Sequence, residues 1–242
     1  MSKAEKLKAS KLIVLILVLG LVLLLISLGF WQLDRAKQKE ILIEQWHQPA
    51  IQIKFPLAGD ADDYYQKIEI SGRLDRQHLF LLDNRTRQGK VGYELLALLK
   101  VQQDSWVLVN LGWLAAGSDR SKLPVIQLPA GELKVSGWLK KVNRAFQLQT
   151  DAWSTSWPKR IQQVEMLKIA KVRGIKNIYK NILLAEKPLV AGLVTDWKPV
   201  NMSVAKHIGY AFQWFLMAIV LCALLFWLWR YSKLEKGEKA YE

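Results

Sequence analysis

Residues 12–30 read LIVLILVLGLVLLLISLGF, an apolar run that decides the class of this protein. A helix rises about 1.5 Å per residue, so a run of this length crosses roughly the hydrocarbon core of a bilayer. The alternative is a cleaved signal peptide, because residues 27–29 resemble a small-x-small cleavage site. However, the run is long for a signal peptide, and the bulky Phe30 and Trp31 follow directly. The run therefore predicts a retained membrane-spanning helix.

A second apolar run covers residues 208–229 and reads IGYAFQWFLMAIVLCALLFWLW. Gln213 is its only strongly polar side chain. Tryptophan and tyrosine favour the headgroup zones of a bilayer, and here Trp214 lies near one end of the run and Tyr231 just beyond the other. The pattern predicts a second membrane-spanning helix, over residues 207–229.

The short tails predict the orientation. Lysine and arginine beside membrane spans mark the cytoplasmic side, whereas acidic residues count little. Both tails are basic, with Lys3, Lys6, Lys8 and Lys11 at one end and Arg230, Lys233, Lys236 and Lys239 at the other. We therefore expect cytoplasmic tails at 1–11 and 230–242, spans at 12–30 and 207–229, and a periplasmic domain at 31–206. The predicted location is the cell inner membrane.

Composition excludes several classes. The chain has 242 residues, a formal net charge of +14 and one cysteine. A single cysteine excludes a disulfide framework and a cysteine-built zinc or iron–sulfur site. Most of the positive charge lies between the tails, where it should attract anionic lipid headgroups or an acidic protein partner. No nucleic-acid-binding motif is present, so a nucleic-acid partner is not expected.

The middle segment predicts an antiparallel β-rich domain, a barrel or sandwich, with one or two helices. Residues 68–74 alternate apolar and polar side chains as in a half-covered strand, whereas residues 106–110 suit a strand covered on both faces. Residues 161–172 suit an amphipathic helix, and the charged residues 35–45 should extend the first span as helix. Further strands are predicted at 79–82, 93–101, 133–142 and 178–184. The predicted fold class is an α+β membrane protein with two transmembrane helices flanking this domain.

No catalytic signature is present in the sequence. The three histidines, His47, His78 and His207, form no His-x-x-x-His metal pattern. The glycine-rich stretch 89–92 is typical of a turn between strands rather than of a phosphate loop. We therefore expect a protein that is not an enzyme.

His207 is the most interesting polar residue, because it opens the second span. Tyr210 follows at i+3 and Trp214 at i+7, so one helical face is predicted to present an imidazole, a phenol and an indole. A neutral imidazole can ligate haem iron, and an aromatic groove suits a macrocycle. Gln213 could hydrogen-bond to the other span. The alternative is that these residues are simply interfacial, since all three types favour membrane interfaces.

Five short motifs occur in order along the chain. They are Gly29-Phe-Trp-Gln-Leu-Asp-Arg35, Asp83-Asn-Arg85 with Gly92-Tyr93, Val107-Leu-Val-Asn110 with Gly112-Trp113, Trp157-Pro158, and His207 with Tyr210-Ala211 and Gln213-Trp-Phe215. In their order and spacing the chain resembles the surfeit locus protein one family, two-span assembly factors for haem–copper cytochrome c oxidase. It departs from the family pattern at Leu111, where an arginine is usual, and at Ala97-Leu98.

The resemblance implies an assembly chaperone of the respiratory chain that holds haem a transiently and helps deliver it. His207 would be the axial ligand to the iron, and the shared helical face then predicts Tyr210 and Trp214 beside the macrocycle. Implied packing or partner-contact positions are Trp31, Arg35, Asn84 and Gln213. The implied partners are the subunits of a haem–copper oxidase, chiefly the haem-bearing catalytic subunit, together with haem A synthase and the lipid bilayer. A structural scaffold for oxidase assembly that binds no haem is the alternative.

Overall fold

A computed structural model describes residues 3–52, 65–101, 104–142 and 153–238. Its elements in chain order are α1 (Lys3–Trp46), β1 (Ile51–Gln52), β2 (Gln66–Leu74), β3 (Phe80–Arg87), β4 (Lys90–Lys100), β5 (Ser105–Ala115), β6 (Glu132–Lys140), β7 (Lys159–Ile161), α2 (Met166–Arg173), β8 (Asn177–Ala185) and α3 (Val204–Glu238). The chain forms two compact units. The helix unit comprises Met1–Ile41 with Val200–Glu242, and the sheet unit comprises Leu42–Pro199.

The helix unit contains the two apolar runs. Ala9–Trp46 of α1 and Val204–Leu234 of α3 are long and apolar enough to cross a membrane, with peak mean hydropathies of 3.3 and 2.3. This confirms the two-helix architecture of a two-pass membrane protein. The helix α1 continues through the charged residues 35–45, as predicted. Where each span meets the bilayer surface stays a prediction.

A narrow seam of small residues joins the two helices. Gly29 of α1 lies so close to α3 that a Cβ added there would sit 2.5 Å from Cε1 of Phe215. On α3, Ala211 and Ala218 are buried in the same unit. Because lipid tails are as apolar as leucine, spans associate through close packing of small residues rather than through the hydrophobic effect. The seam therefore determines which face of α3 is turned toward α1.

The sheet unit is built on one eight-stranded sheet in the order β1-β2-β6-β8-β5-β4-β3-β7. An additional pairing, Leu74 with Leu99, joins β2 to β4 and so closes five strands, β2, β6, β8, β5 and β4, into a barrel. Three pairings are parallel, namely β1 with β2, β3 with β7, and β5 with β8. The β-rich fold with one described helix agrees with the predicted class, but the sheet is mixed rather than wholly antiparallel. Strands distant in sequence need not pair as hairpins, and their direction is not visible in the local pattern.

Two apolar clusters lie on opposite faces of the barrel wall. In β5, Val107 and Val109 face the interior cluster while Leu108 faces the outer one, which explains the unbroken apolar run predicted for this strand. The outer cluster is covered partly by the end of α1. The rings of Trp46 and Trp138 stack with centroids 3.9 Å apart, and the Trp138 indole donates a hydrogen bond to the Trp46 carbonyl over 2.9 Å.

The helix predicted at 161–172 begins later than expected. Ile161 belongs to β7, where it pairs in parallel with Leu82 of β3 and is fully buried. The helix α2 covers only Met166–Arg173 and ends at Gly174 in the left-handed conformation. The prediction was wrong at its start because Ile161 and Val164 have the i, i+3 spacing of a helical turn although Ile161 ends a strand.

Candidate functional site

His207 lies in the first turns of α3 and is turned toward α1. Its side chain is only 8% exposed, and its Nδ1 atom lies 2.8 Å from Oε1 of Gln32 on α1. Gln32 follows Gly29 by about one helical turn, so the close approach of the helices at Gly29 brings the amide within reach of the imidazole. The sequence predicted that His207 opens the second span, and the structure adds that its side chain is turned toward the other helix.

The hydrogen bond to Gln32 determines which imidazole nitrogen is free. An amide oxygen can only accept, so Nδ1 of His207 carries the proton and donates. In the neutral tautomer with the proton on Nδ1, Nε2 keeps its lone pair. That atom is buried and has no hydrogen-bond partner within the described part of the chain. A buried acceptor without a partner costs free energy. Among the described residues of the helix unit, this nitrogen is therefore the candidate atom for binding a ligand.

Apolar side chains also contribute to the contact between α1 and α3. Phe30 and Phe215 meet edge to face, with ring centroids 5.3 Å apart. Ala211, one turn after His207, is 1% exposed. These side chains are apolar, so they offer no hydrogen-bond donor.

The structure brings together only part of the predicted aromatic face. Tyr210 is 44% exposed and lies off the seam, whereas Trp214 is half-buried. The reason is helical geometry, since residues at i+4 and i+7 fall closer to the direction of His207 than a residue at i+3 does. Gln213 is exposed and makes no hydrogen bond among the residues described, so the tie between the helices comes from Gln32 instead.

Gln32 is the site residue that the sequence reasoning missed. It stands in the first of the five motifs, between Trp31 and the charged end of α1, and a polar amide at the margin of an apolar run was the available signal. Its neighbours point outward. Trp31 is 49% exposed, with the Arg35 guanidinium 5.6 Å from its ring centroid, and Arg35 donates to Gln38 over 2.8 Å.

The motifs of the sheet unit form a separate cluster of paired groups. Asn110, 2% exposed, donates from Nδ2 to Glu94 over 2.7 Å, and its Oδ1 accepts from the backbone N–H of Gly112 over 3.2 Å. The Trp113 indole donates to the Arg85 carbonyl over 2.8 Å. These bonds link β3, β4 and β5 through their motif residues. Their arrangement indicates a structural role for the motifs.

Asn84, predicted as a packing or partner-contact position, lies at a bulge of β3. Its φ is 57°, a left-handed conformation that asparagine tolerates better than most residues. Its side chain is exposed, and its N–H donates to the carboxylate of Asp83 over 2.7 Å. The buried Asp83 also accepts a hydrogen bond from Arg120. Asn84 therefore shapes the strand, and its side chain remains available for contact.

The two departures from the family pattern lie in the core. Leu111 is fully buried in the interior cluster at a bulge, and Ala97 and Leu98 are fully buried on opposite faces of β4. These three residues therefore contribute to packing within the barrel rather than to its surface.

The described residues contain no group of three or more histidine, cysteine, aspartate or glutamate side chains placed to hold a metal ion. Metal binding by these residues would thus depend on few ligands, and His207 offers a single nitrogen.

These features define a two-pass membrane protein with a mixed-sheet unit between its two spans in the sequence. The sequence model of the SURF1 family matches residues 19–219, and the chain belongs to that family. It is 28% identical to a SURF1-like protein of Rickettsia felis over an alignment of 234 positions that covers 83% of this chain and 90% of the relative. A SURF1-like protein of Rickettsia bellii is 27% identical, with 84% and 85% covered.

Proposed function

We propose that this protein is a membrane assembly factor for haem–copper cytochrome c oxidase, which binds haem a and assists its insertion into the catalytic subunit. It acts as a carrier, without catalysing a reaction of its own. Its partners are the oxidase subunits, chiefly the haem-bearing one, and haem A synthase as the source of the cargo. Family membership supports the assembly role, and the unpaired Nε2 of His207 is the observation that carries the haem-binding part.

The chemistry of the histidine fits an iron ligand. Imidazole ligates metals through a neutral nitrogen, and a hydrogen bond from the other ring nitrogen sets the orientation and tautomer. Gln32 supplies that second contact. Because Nε2 is enclosed, ligation requires the His207 side chain or the two helices to shift. A single protein ligand that is reached only after this shift suits cargo that must later be released.

The proposed topology follows the charge of the tails. Both termini face the cytoplasm and the sheet unit faces the periplasm, because the basic residues that flank the spans are retained on the cytoplasmic side. In the inner membrane, this orientation gives the sheet unit access to the exported parts of an oxidase.

The test uses the full chain, purified in mild detergent from cells that make haem A. Reduced-minus-oxidised spectra are recorded for the wild type, His207→Ala, Gln32→Leu and His47→Ala. The matched control is His47, an exposed histidine near the end of α1 whose Nδ1 lies 2.8 Å from the Ile43 carbonyl oxygen. We expect a haem signal in the wild type and the His47 variant, none in His207→Ala, and a weaker one in Gln32→Leu.

Two outcomes contradict this proposal. A signal that persists in His207→Ala would assign the ligand to another residue. No signal in any folded protein would remove haem binding and leave assembly without cargo.

The second candidate function is a structural scaffold for oxidase assembly that binds no haem. The enclosure of Nε2 and the outward position of Tyr210 favour it, because the bond between His207 and Gln32 then simply ties the spans together. Copurification of the catalytic subunit distinguishes the two functions. A scaffold that depends on this tie loses the subunit in Gln32→Leu, whereas a haem carrier keeps the subunit and loses spectral intensity.

A further inference from the structure

A hollow with both polar and apolar lining lies in the sheet unit, at the end of β2. It has a volume of about 630 Å³, within the range of small-molecule sites. Its lining comes from the end of β2, the β2–β3 connection, β4, β5, the segment before β6, and α2. Apolar side chains contribute Leu74, Trp106, Ile126 and Leu128, and cationic ones contribute Arg73, Arg76, Lys100 and Arg173. We call it the basic cleft.

The single carboxylate in the lining is already paired. Asp75 accepts hydrogen bonds from Nε and Nη2 of Arg173, over 3.1 and 2.7 Å, and lies 2.9 Å from Nδ1 of His78. Its side chain is only 9% exposed. The Asp75–Arg173 pair is therefore close to neutral as a unit, and it fixes the connection that carries Arg76.

The other cationic side chains of the basic cleft have fewer or more exposed ion-pair partners. Arg73 and Arg76 are exposed and form no ion pair within the described segments. Glu132 stands opposite Arg73 in the β2–β6 register but does not reach it as an ion pair. Lys100 pairs with the exposed Asp104 over 2.7 Å, and its Nζ lies 5.7 Å from the ring centroid of Trp106. Two guanidinium groups that form no ion pair among the described residues thus line a partly apolar hollow.

We propose that the basic cleft binds a phosphate group. Arginine presents planar N–H donors that match phosphate oxygens in pairs, and two free arginines match the roughly double charge of a phosphate monoester. The apolar wall of Leu74, Trp106 and Leu128 lowers the local dielectric and so strengthens this attraction. The phosphate belongs either to a phospholipid headgroup or to a soluble metabolite. This site is independent of His207 and of haem binding.

The test is calorimetric titration of the full chain in a neutral detergent with glycerol 3-phosphate. The charge-removing variant is Arg73→Gln/Arg76→Gln, and the control is Lys90→Gln/Lys187→Gln, which removes two exposed lysines outside the cleft. Both double variants lower the net charge equally. We expect saturable binding to the wild type and the control, and binding weaker by about tenfold or more in the arginine variant. Circular dichroism checks that each variant is folded.

Absence of saturable binding to the wild type overturns the proposal, and so does equal weakening in both double variants, which would indicate a diffuse charge effect. A second titration, with dihexanoyl phosphatidic acid, distinguishes the sources because this lipid has the same phosphate monoester with acyl chains added. Tighter binding of the lipid that requires the two arginines assigns a headgroup site. Equal binding of the two ligands assigns a soluble phosphate.

Discussion

Asn110 of the sheet unit and His207 of the helix unit are both buried motif residues, but they differ in how completely their polar atoms are paired. In the sheet unit, Asn110 uses both ends of its amide, toward Glu94 and toward the Gly112 backbone. In the helix unit, His207 uses Nδ1 and leaves Nε2 buried without a partner among the residues described. Both residues are nearly inaccessible, so burial alone does not separate them.

This difference teaches how to tell a structural motif from a functional one. A buried polar group with all its partners specifies and stiffens the local fold. A buried polar group that lacks a partner lowers the stability of the fold, so stability does not explain why the group is present. Within this protein Asn110 of the sheet unit follows the first pattern, and His207 of α3 follows the second.

The largest expected effect tests the structural half of this comparison. Asn110→Ala removes the partners of Glu94 and of the Gly112 N–H, so we expect a loss of about 2 kcal/mol in the free energy of unfolding. Chemical denaturation followed by circular dichroism measures it. The control is Asn181→Ala, since Asn181 is also buried but its Nδ2 has no hydrogen-bond partner in the described structure. If both variants lost the same stability, pairing would not be what distinguishes Asn110.

A smaller effect is expected from the bond between the helices. Coupling between polar side chains of neighbouring spans averages about 0.6 kcal/mol, and we expect this value for Gln32 and His207. A double-mutant cycle with Gln32→Leu, His207→Leu and the double variant, measured by denaturation in detergent, gives the coupling free energy. A coupling several times larger would mean that His207 is retained for stability, and would remove the contrast with the sheet unit.

The smallest effect appears only in acid and concerns Asp75. Burial raises the pKa of this carboxyl, but the His78 hydrogen bond, the Arg173 charge and the Gln77 backbone N–H together lower it below its usual value. A carboxyl with a lowered folded-state pKa stabilises the protein above the unfolded-state pKa of about 3.9 and loses that contribution as the pH falls through the folded value.

The dependence of the unfolding free energy on pH, measured below about pH 5, gives this contribution. Asp75→Asn should flatten the fall in unfolding free energy between about pH 5 and about pH 2 relative to the wild type. If the unfolding free energy of the two proteins fell equally with falling pH, the pairing of Asp75 would contribute nothing to stability. Even a fully paired polar group of the sheet unit would then add no stability.

Strands were predictable from the sequence where their apolar and polar residues followed a regular local pattern. The alternation in residues 68–74 and the unbroken apolar run in 106–110 correspond to the observed burial of β2 and β5. The start of α2 was not predictable, because Ile161 pairs with β3, a strand about 80 residues earlier in the chain. Pairing at that separation leaves no trace in a local window.

At the candidate site the sequence identified the histidine but not its neighbour. His207 stands out as a titratable residue opening an apolar run, whereas Gln32 became meaningful only when the approach at Gly29 put its amide 2.8 Å from the imidazole. The predicted roles of Tyr210, Trp214, Trp31, Arg35, Asn84 and Gln213 in binding or partner contact stay predictions. Of these, Trp214 lies nearest the seam by helical spacing, and Tyr210 and Gln213 lie outside it.

The sequence by itself determined the two apolar helices, the β-rich character of the segment between them and the family, because length, hydropathy and motif order are properties of the linear chain. Tertiary structure alone decided the closure of the barrel, the parallel pairings, the choice of Gln32 as partner and the burial of Nε2. These depend on contacts between residues far apart in the chain. Such contacts form when packing brings side chains within a few ångströms of each other, and no local spacing encodes that distance.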